Sequence, residues 1–178
     1  MLDLLLLRHA KSSWDDPGLD DSDRPLNIRG RRAAQAMGRV LASLGLVPAL
    51  VLCSPARRAR DTWAIAAGEL KSGSRLIIAP ALYDFGDGTA LCDAIRTQGG
   101  SATPLLIVGH NPALEELALR LAGAGSKDMR ARMARKFPTA ALAQLRFDIA
   151  GWDDLADGRG SLERFIRPSD IMAGTGED

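Results

Sequence analysis

Two uninterrupted apolar runs, Leu4-Leu5-Leu6-Leu7 and Leu105-Leu106-Ile107-Val108, constrain this chain more than any other feature. Each reads as a buried strand, and each stops at one of the chain's two histidines, in Leu7-Arg8-His9-Ala10 and Val108-Gly109-His110-Asn111. A buried strand that ends in a polar residue delivers that residue to one edge of its sheet. In open α/β sheets the carboxyl edge is where ligands bind. Two imidazoles there, the first beside an arginine, point to the handling of phosphate.

The rest of the chain supplies the sheet's partners. Asn27 is a good N-cap, and Ala33, Ala36, Met37, Val40, Leu41 and Leu44 follow at spacings of three and four before Gly45 closes the helix. Ala49–Cys53 and Arg75–Ile78 read as further strands. Ala56–Leu70, Thr89–Thr97 and Ala113–Leu121 read as helices, with Pro112 at the first position of the last, where a missing N–H costs nothing. Beyond Gly123, Lys127–Lys136 is a basic helical segment, and Ala140–Phe147 and Leu162–Ile166 are closing strands, expected to be antiparallel at the sheet's edge. Residues 173–178 are small or acidic and are expected to fray. The expectation is a single domain over residues 1–172 with a flexible tail. Alternating strands and helices make it a three-layer α/β/α sandwich with a mostly parallel central sheet.

Composition enters mainly by exclusion. The 178 residues are enough to close a core, and 23 Lys and Arg balance 22 Asp and Glu, so bulk charge argues for neither nucleic acid nor an anionic membrane. Any anion site must be local. Cys53 and Cys92 lack CxxC spacing, which fits a reduced compartment and argues against metal ligation. Met1–Leu7 lacks a basic flank and a cleavage site, so it is a strand rather than a secretory signal. No apolar stretch is long enough to span a bilayer. A cytoplasmic location is therefore expected.

A third junction sharpens the phosphate reading. Ser54-Pro55-Ala56-Arg57-Arg58-Ala59-Arg60-Asp61-Thr62 follows a strand and opens a helix, where a helix N-terminus already favours anions. Arginine suits such a place because its planar fork meets two phosphate oxygens at once. With Leu7-Arg8-His9-Ala10, Arg24-Pro25-Leu26, Arg29-Gly30, Ser54-Pro55, Arg58-Ala59, Thr62 and Val108-Gly109-His110-Asn111-Pro112 in this order, the chain resembles the histidine phosphatase superfamily. Within it, the likeness is to the small SixA-type phosphohistidine phosphatases, and it extends over nearly the whole chain, including Lys136-Phe137-Pro138-Thr139-Ala140. There are two departures. Ala10 stands where the superfamily more often has Gly, a change expected to be tolerated, and the segment between Thr62 and Pro104 lacks the lid insertion of the mutase branch.

The resemblance implies a phosphoglycerate mutase-like fold. It also implies that neutral His9 attacks phosphorus and becomes a transient phosphohistidine, while Arg8, Arg58 and His110 surround the phosphoryl oxygens. No metal or other cofactor is expected, because the arginines supply the positive charge. Three further positions carry two readings each. Arg24 either borders the phosphate pocket or pairs with Asp20, Asp21 or Asp23. Ser54 either lines the pocket or caps the helix that follows. Asp84 matches the region where many superfamily members keep an acidic proton donor, although a phosphorylated imidazole leaves readily and needs little acid help. The acidic loop Asp15–Asp23 lacks EF-hand spacing and reads as solvated. The basic run after Lys127 reads as a solvated face, and Trp14, Trp63 and Trp152 are too scattered to form a stacking platform for nucleic acid.

The expected activity is hydrolysis of phosphohistidine on a partner protein, a histidine phosphotransfer or phosphocarrier protein, by a monomer. The alternatives are a small-molecule phosphomonoesterase of the same superfamily, which would need Asp84 as an acid, and a phosphate-binding module without turnover.

Overall fold

The computed structural model describes residues 1–71 and 73–172. Its strands are β1 (Leu2–Arg8), β2 (Leu50–Cys53), β3 (Arg75–Ile78), β4 (Leu105–Gly109), β5 (Ala122–Gly125), β6 (Leu142–Phe147) and β7 (Gly160–Ile166). They form one sheet in the order β3-β2-β4-β1-β6-β7-β5. The pairs β1/β4, β2/β4, β2/β3 and β5/β7 are parallel, and β6 runs antiparallel to both β1 and β7. The sandwich with a mostly parallel sheet that the sequence pattern implies is therefore the architecture observed.

Successive residues of a strand point to opposite faces, and the three central strands divide their apolar side chains accordingly. Leu5, Leu7, Val51, Cys53, Leu106 and Val108 face α1 (Ile28–Ser43) and α2 (Arg57–Leu70), where Met37, Leu41, Trp63 and Ala66 complete one buried cluster. Leu4, Leu6, Leu50, Leu52, Leu105 and Ile107 face the opposite layer, α3 (Thr89–Gln98) and α4 (Ala113–Leu121), through Leu91, Ile95, Leu114 and Leu117. Burial on both faces is the physical reason these strands read as continuous apolar runs.

The helices end as the local chemistry requires. Asn27 caps α1 by accepting from the Gly30 amide at 2.8 Å, and Gly45 leaves the helix at φ 66°, a left-handed conformation that costs glycine little. Close approach demands two other glycines. A Cβ on Gly30 would lie 2.1 Å from the Lys11 carbonyl oxygen, and one on Gly38 would lie 2.5 Å from that of Ala66, so α1 packs backbone to backbone on the loop after β1 and on α2.

The structure corrects the sequence pattern at the sheet's far edge. Strand β6 is an inner strand, and β5 is the edge beyond β7. The sequence of β5, Ala-Gly-Ala-Gly, has little strand propensity, so its conformation comes from pairing with β7. The basic segment forms α5 (Lys127–Arg135), and α6 (Pro168–Ile171) is the last helix among the described residues; the tail expected to fray, residues 173–178, lies outside them. Among the described residues no helix is long and apolar enough to cross a membrane.

Candidate active site

Strand register brings the two histidines together. Strands β1 and β4 pair as far as Arg8 opposite Gly109, so the next residue on each is a histidine at the same edge, and the two rings lie 4.9 Å apart. Strand β2 pairs with β4 as far as Cys53 opposite Val108. That places Ser54 and the start of α2 beside the same pair. His9 and His110 are 8% and 1% exposed, and Arg58, from the first turn of α2, is 2% exposed.

The hydrogen bonds assign a distinct tautomer to each ring. His9 Nδ1 lies 2.7 Å from the carbonyl of Ala10. A carbonyl only accepts, so Nδ1 carries the proton and Nε2 keeps its lone pair. His110 Nε2 lies 2.7 Å from Ser54 Oγ, while its Nδ1 faces Arg58 Nη2 at 3.4 Å. Guanidinium only donates, so here Nε2 is protonated and Nδ1 accepts. Both rings are neutral near pH 7. Burial, followed by the nearby arginines, lowers the His9 pKa to about 4. Burial, then His9 and Arg58, lowers that of His110 to about 3.

Two guanidiniums complete the floor. Arg8 donates from Nη1 to the Phe137 carbonyl at 2.8 Å, and Asn111 Nδ2 donates to the same oxygen at 3.1 Å. Arg58 donates from Nη1 to the Asp21 carbonyl at 2.6 Å and from Nη2 to its carboxylate at 2.9 Å. The Nε atoms of both arginines are buried without a hydrogen-bond partner. Buried donors without partners are costly, and a tetrahedral oxyanion would satisfy them.

Backbone geometry holds β1's end in place. Ala140, at φ 59°, turns its amide onto the carbonyls of both Arg8 and His9, and Ala10, buried, donates its amide to Thr62 Oγ1 at 2.9 Å. Ala10 is not among the residues with positive φ, so its Cβ brings no strain.

Arg24 pairs with Asp21 through Nε at 3.1 Å and Nη2 at 3.0 Å and reaches Ser12 Oγ through Nη1. The ion pair with Asp21 is therefore the contact observed, and Asp21, which also accepts from Arg58, links Arg24 to that arginine. Ser54 is not the N-cap of α2, a place taken by Ala56; its hydroxyl holds His110 and also accepts from the Ala56 amide at 3.3 Å. Asp84 is half-buried, and its carboxylate accepts from the Gly86 amide at 3.2 Å in a local turn.

Tyr83 and Phe85 escaped the sequence reading, and Asp21 entered it only as one of three possible partners for Arg24. Asp21 lies in the acidic loop read there as solvated, yet it accepts from Tyr83, Arg58 and Arg24. Those bonds, the tyrosine's first, hold its carboxyl well below the usual carboxylate range. The one available signal was its position three residues before Arg24, one turn away. Tyr83 and Phe85 lie 5.4 and 5.1 Å from the His110 ring.

Other reactive groups are silenced or distant. Burial pushes the Cys53 thiol up to about 12, which removes it as a nucleophile at neutral pH. Among the described residues no three His, Cys, Asp or Glu side chains converge as a metal site. A separate open cleft of about 1340 Å³ is lined by Lys11, Arg29, Arg32, Arg39, Lys136 and Arg167 with no acidic wall residue. Lys11 sits two residues beyond His9.

Comparison with known proteins agrees with this geometry. Residues 4–91 match the profile of the Histidine phosphatase superfamily (branch 1). An uncharacterized protein of Mycobacterium tuberculosis is 41% identical over 166 residues, 91% of this chain and 99% of that one. Two solved structures are similar along the whole chain. The candidate phosphohistidine phosphatase SixA of Agrobacterium tumefaciens is 30% identical at a TM-score of 0.75, covering 94% of this chain and 98% of the other. The candidate SixA of Nakamurella multipartitia is 28% identical at a TM-score of 0.79, covering 94% and 96%.

Proposed function

Because the chain belongs to the histidine phosphatase superfamily, branch 1, we propose that it is a phosphatase that hydrolyses phosphohistidine on a partner protein through a covalent intermediate on His9. The observation that carries this reading is the pair of neutral imidazoles 4.9 Å apart, flanked by buried Arg58 and half-buried Arg8, whose buried Nε donors lack partners.

The tautomers determine the chemistry. His9 Nε2 attacks phosphorus in line, a bond forms from nitrogen to phosphorus, and the electron pair of the substrate's P–N bond departs with its imidazole. The leaving ring departs neutral when its other nitrogen carries a proton taken from solvent. Phosphorylated His9 keeps its Nδ1 proton on the Ala10 carbonyl, so the ring is cationic and is itself a good leaving group. Water attacks phosphorus, loses a proton to bulk, and His9 departs directly in its starting neutral form. Arg8 and Arg58 offset charge on the phosphoryl oxygens through both steps. When the phosphate dianion is bound, His110, presented by Ser54, takes a proton from solvent at Nδ1, gives up its long contact with Arg58 Nη2, and donates a hydrogen bond to the phosphate.

A protein substrate is favoured over a small ester by two features. Asp84 is tied into its own turn rather than touching either histidine, which suits a leaving group that needs no acid. The basic cleft that begins at Lys11 fits an acidic docking surface. On this reading the protein acts as a cytoplasmic monomer.

The test follows phosphate release, with EDTA present, from a phosphohistidine-bearing protein and from a generic phosphomonoester, for wild type, His9→Ala and Asp84→Asn. Rapid His9-dependent release from the protein, changed less than about twofold by Asp84→Asn, is expected. Release from the ester alone, lost in Asp84→Asn, would move the activity to small-molecule hydrolysis.

A further inference from the structure

A phosphate seated between His9 and His110 must carry the rest of its molecule out past residues that touch the histidines and also reach solvent. Phe85 meets both conditions. Its ring lies 5.1 Å from that of His110 at an angle of 42°, yet the residue is 47% exposed and belongs to none of the buried apolar clusters. Tyr83 stands edge-on to both, 5.1 Å from Phe85 and 5.4 Å from His110, and is anchored by its hydroxyl on Asp21. The two rings come from one loop, fixed at its start by the Pro80–Leu82 turn and after Phe85 by the Asp84–Gly86 hydrogen bond.

An exposed phenylalanine alone needs no explanation. One that leans on a site histidine forms an aromatic wall at the pocket's mouth, and flat rings pair with such walls at centroid distances of about 4.5–7 Å. An aliphatic leaving group offers no π face to it. We infer that Phe85, backed by Tyr83, is a specificity-determining slot for a planar ring attached to the phosphate, which on the function proposed above is the imidazole of the substrate's phosphohistidine.

Calorimetry with phenylphosphonate and methylphosphonate tests the slot without requiring turnover. Wild type is expected to bind the phenyl compound about tenfold more tightly. Phe85→Ala reduces that preference to about twofold and alters methylphosphonate affinity less than about twofold. Phe85→Trp keeps the preference, and Phe85→Leu, apolar without a π face, loses most of it. Equal wild-type affinities, or an unchanged preference in Phe85→Ala, would overturn the slot, and failure to bind either compound would overturn the pocket along with it. Turnover of phosphohistidine against phenyl phosphate then distinguishes the rings. A protein that shows the phenyl preference but leaves phosphohistidine intact overturns the imidazole assignment and the proposed substrate, while the slot itself stands.

Discussion

His9 and His110 occupy matching places, each one residue past the paired end of a central parallel strand, and yet they are chemically opposite. A backbone carbonyl holds the Nδ1 proton of His9 and leaves Nε2 as a lone pair; a serine hydroxyl and a guanidinium reverse that order in His110. The same side chain on the same edge becomes a nucleophile in one strand and a presented acceptor in the next. The lesson is that strand register decides where an imidazole sits, and the partner of its other nitrogen decides what it can do.

The comparison breaks most visibly in paired alanine variants. His9→Ala is expected to lower steady-state turnover on the order of 10⁴-fold or more, since no other group supplies the lone pair, whereas His110→Ala should lose on the order of 10²–10³-fold, as for one charge-stabilising contact. Equal losses in the two variants would dissolve the asymmetry. Arg58→Lys keeps the charge but not the fork that meets Asp21 and the pocket, and kcat/KM should fall about 10²-fold. Ser54→Ala removes the support of His110 together with a longer bond to the Ala56 amide, so a fall of about tenfold is expected, with phosphorylation of His9 by substrate still detectable in quenched-flow trapping.

The smallest effect is the most direct view of the two rings. Their pKa values lie near 4 and 3 against 6.5 for a free imidazole, and the chain has only two histidines, so ring-proton NMR should show neither titrating between pH 7.5 and 5. Between about pH 6.5 and 4 the unfolded chain binds protons that the folded chain refuses, so stability falls as pH falls through that window. Urea midpoints that rise on acidification over this range would contradict buried neutral rings.

Much of this was legible in the residues. The apolar runs of β1 and β4, the Asn27 cap and the Gly45 stop announce themselves because they rest on local chemistry and two-sided burial. The histidines and Arg58 could be placed at one edge because strand ends and a helix start are themselves local signals. Asp21 was hidden, since its role depends on a loop folding back 37 residues away in sequence from Arg58, and nothing in an acidic stretch marks which carboxylate turns inward. Ser54 was ambiguous for a related reason: a hydroxyl near a helix start serves as a cap or as a ligand depending on where α2 begins. Strand β5 was invisible because its alanines and glycines take their form from β7 alone.

The central claim is that His9 carries the phosphoryl group at Nε2. Rapid acid-free quenching of wild type with a phosphohistidine donor, followed by ³¹P NMR and peptide mass spectrometry under alkaline conditions, tests it directly. The account predicts one labile phosphoryl group on the peptide containing His9, attached at Nε2 and missing from His9→Ala. A stable phosphoryl group on another residue, modification of His110, or release of phosphate with no phosphoenzyme under single-turnover conditions would contradict it.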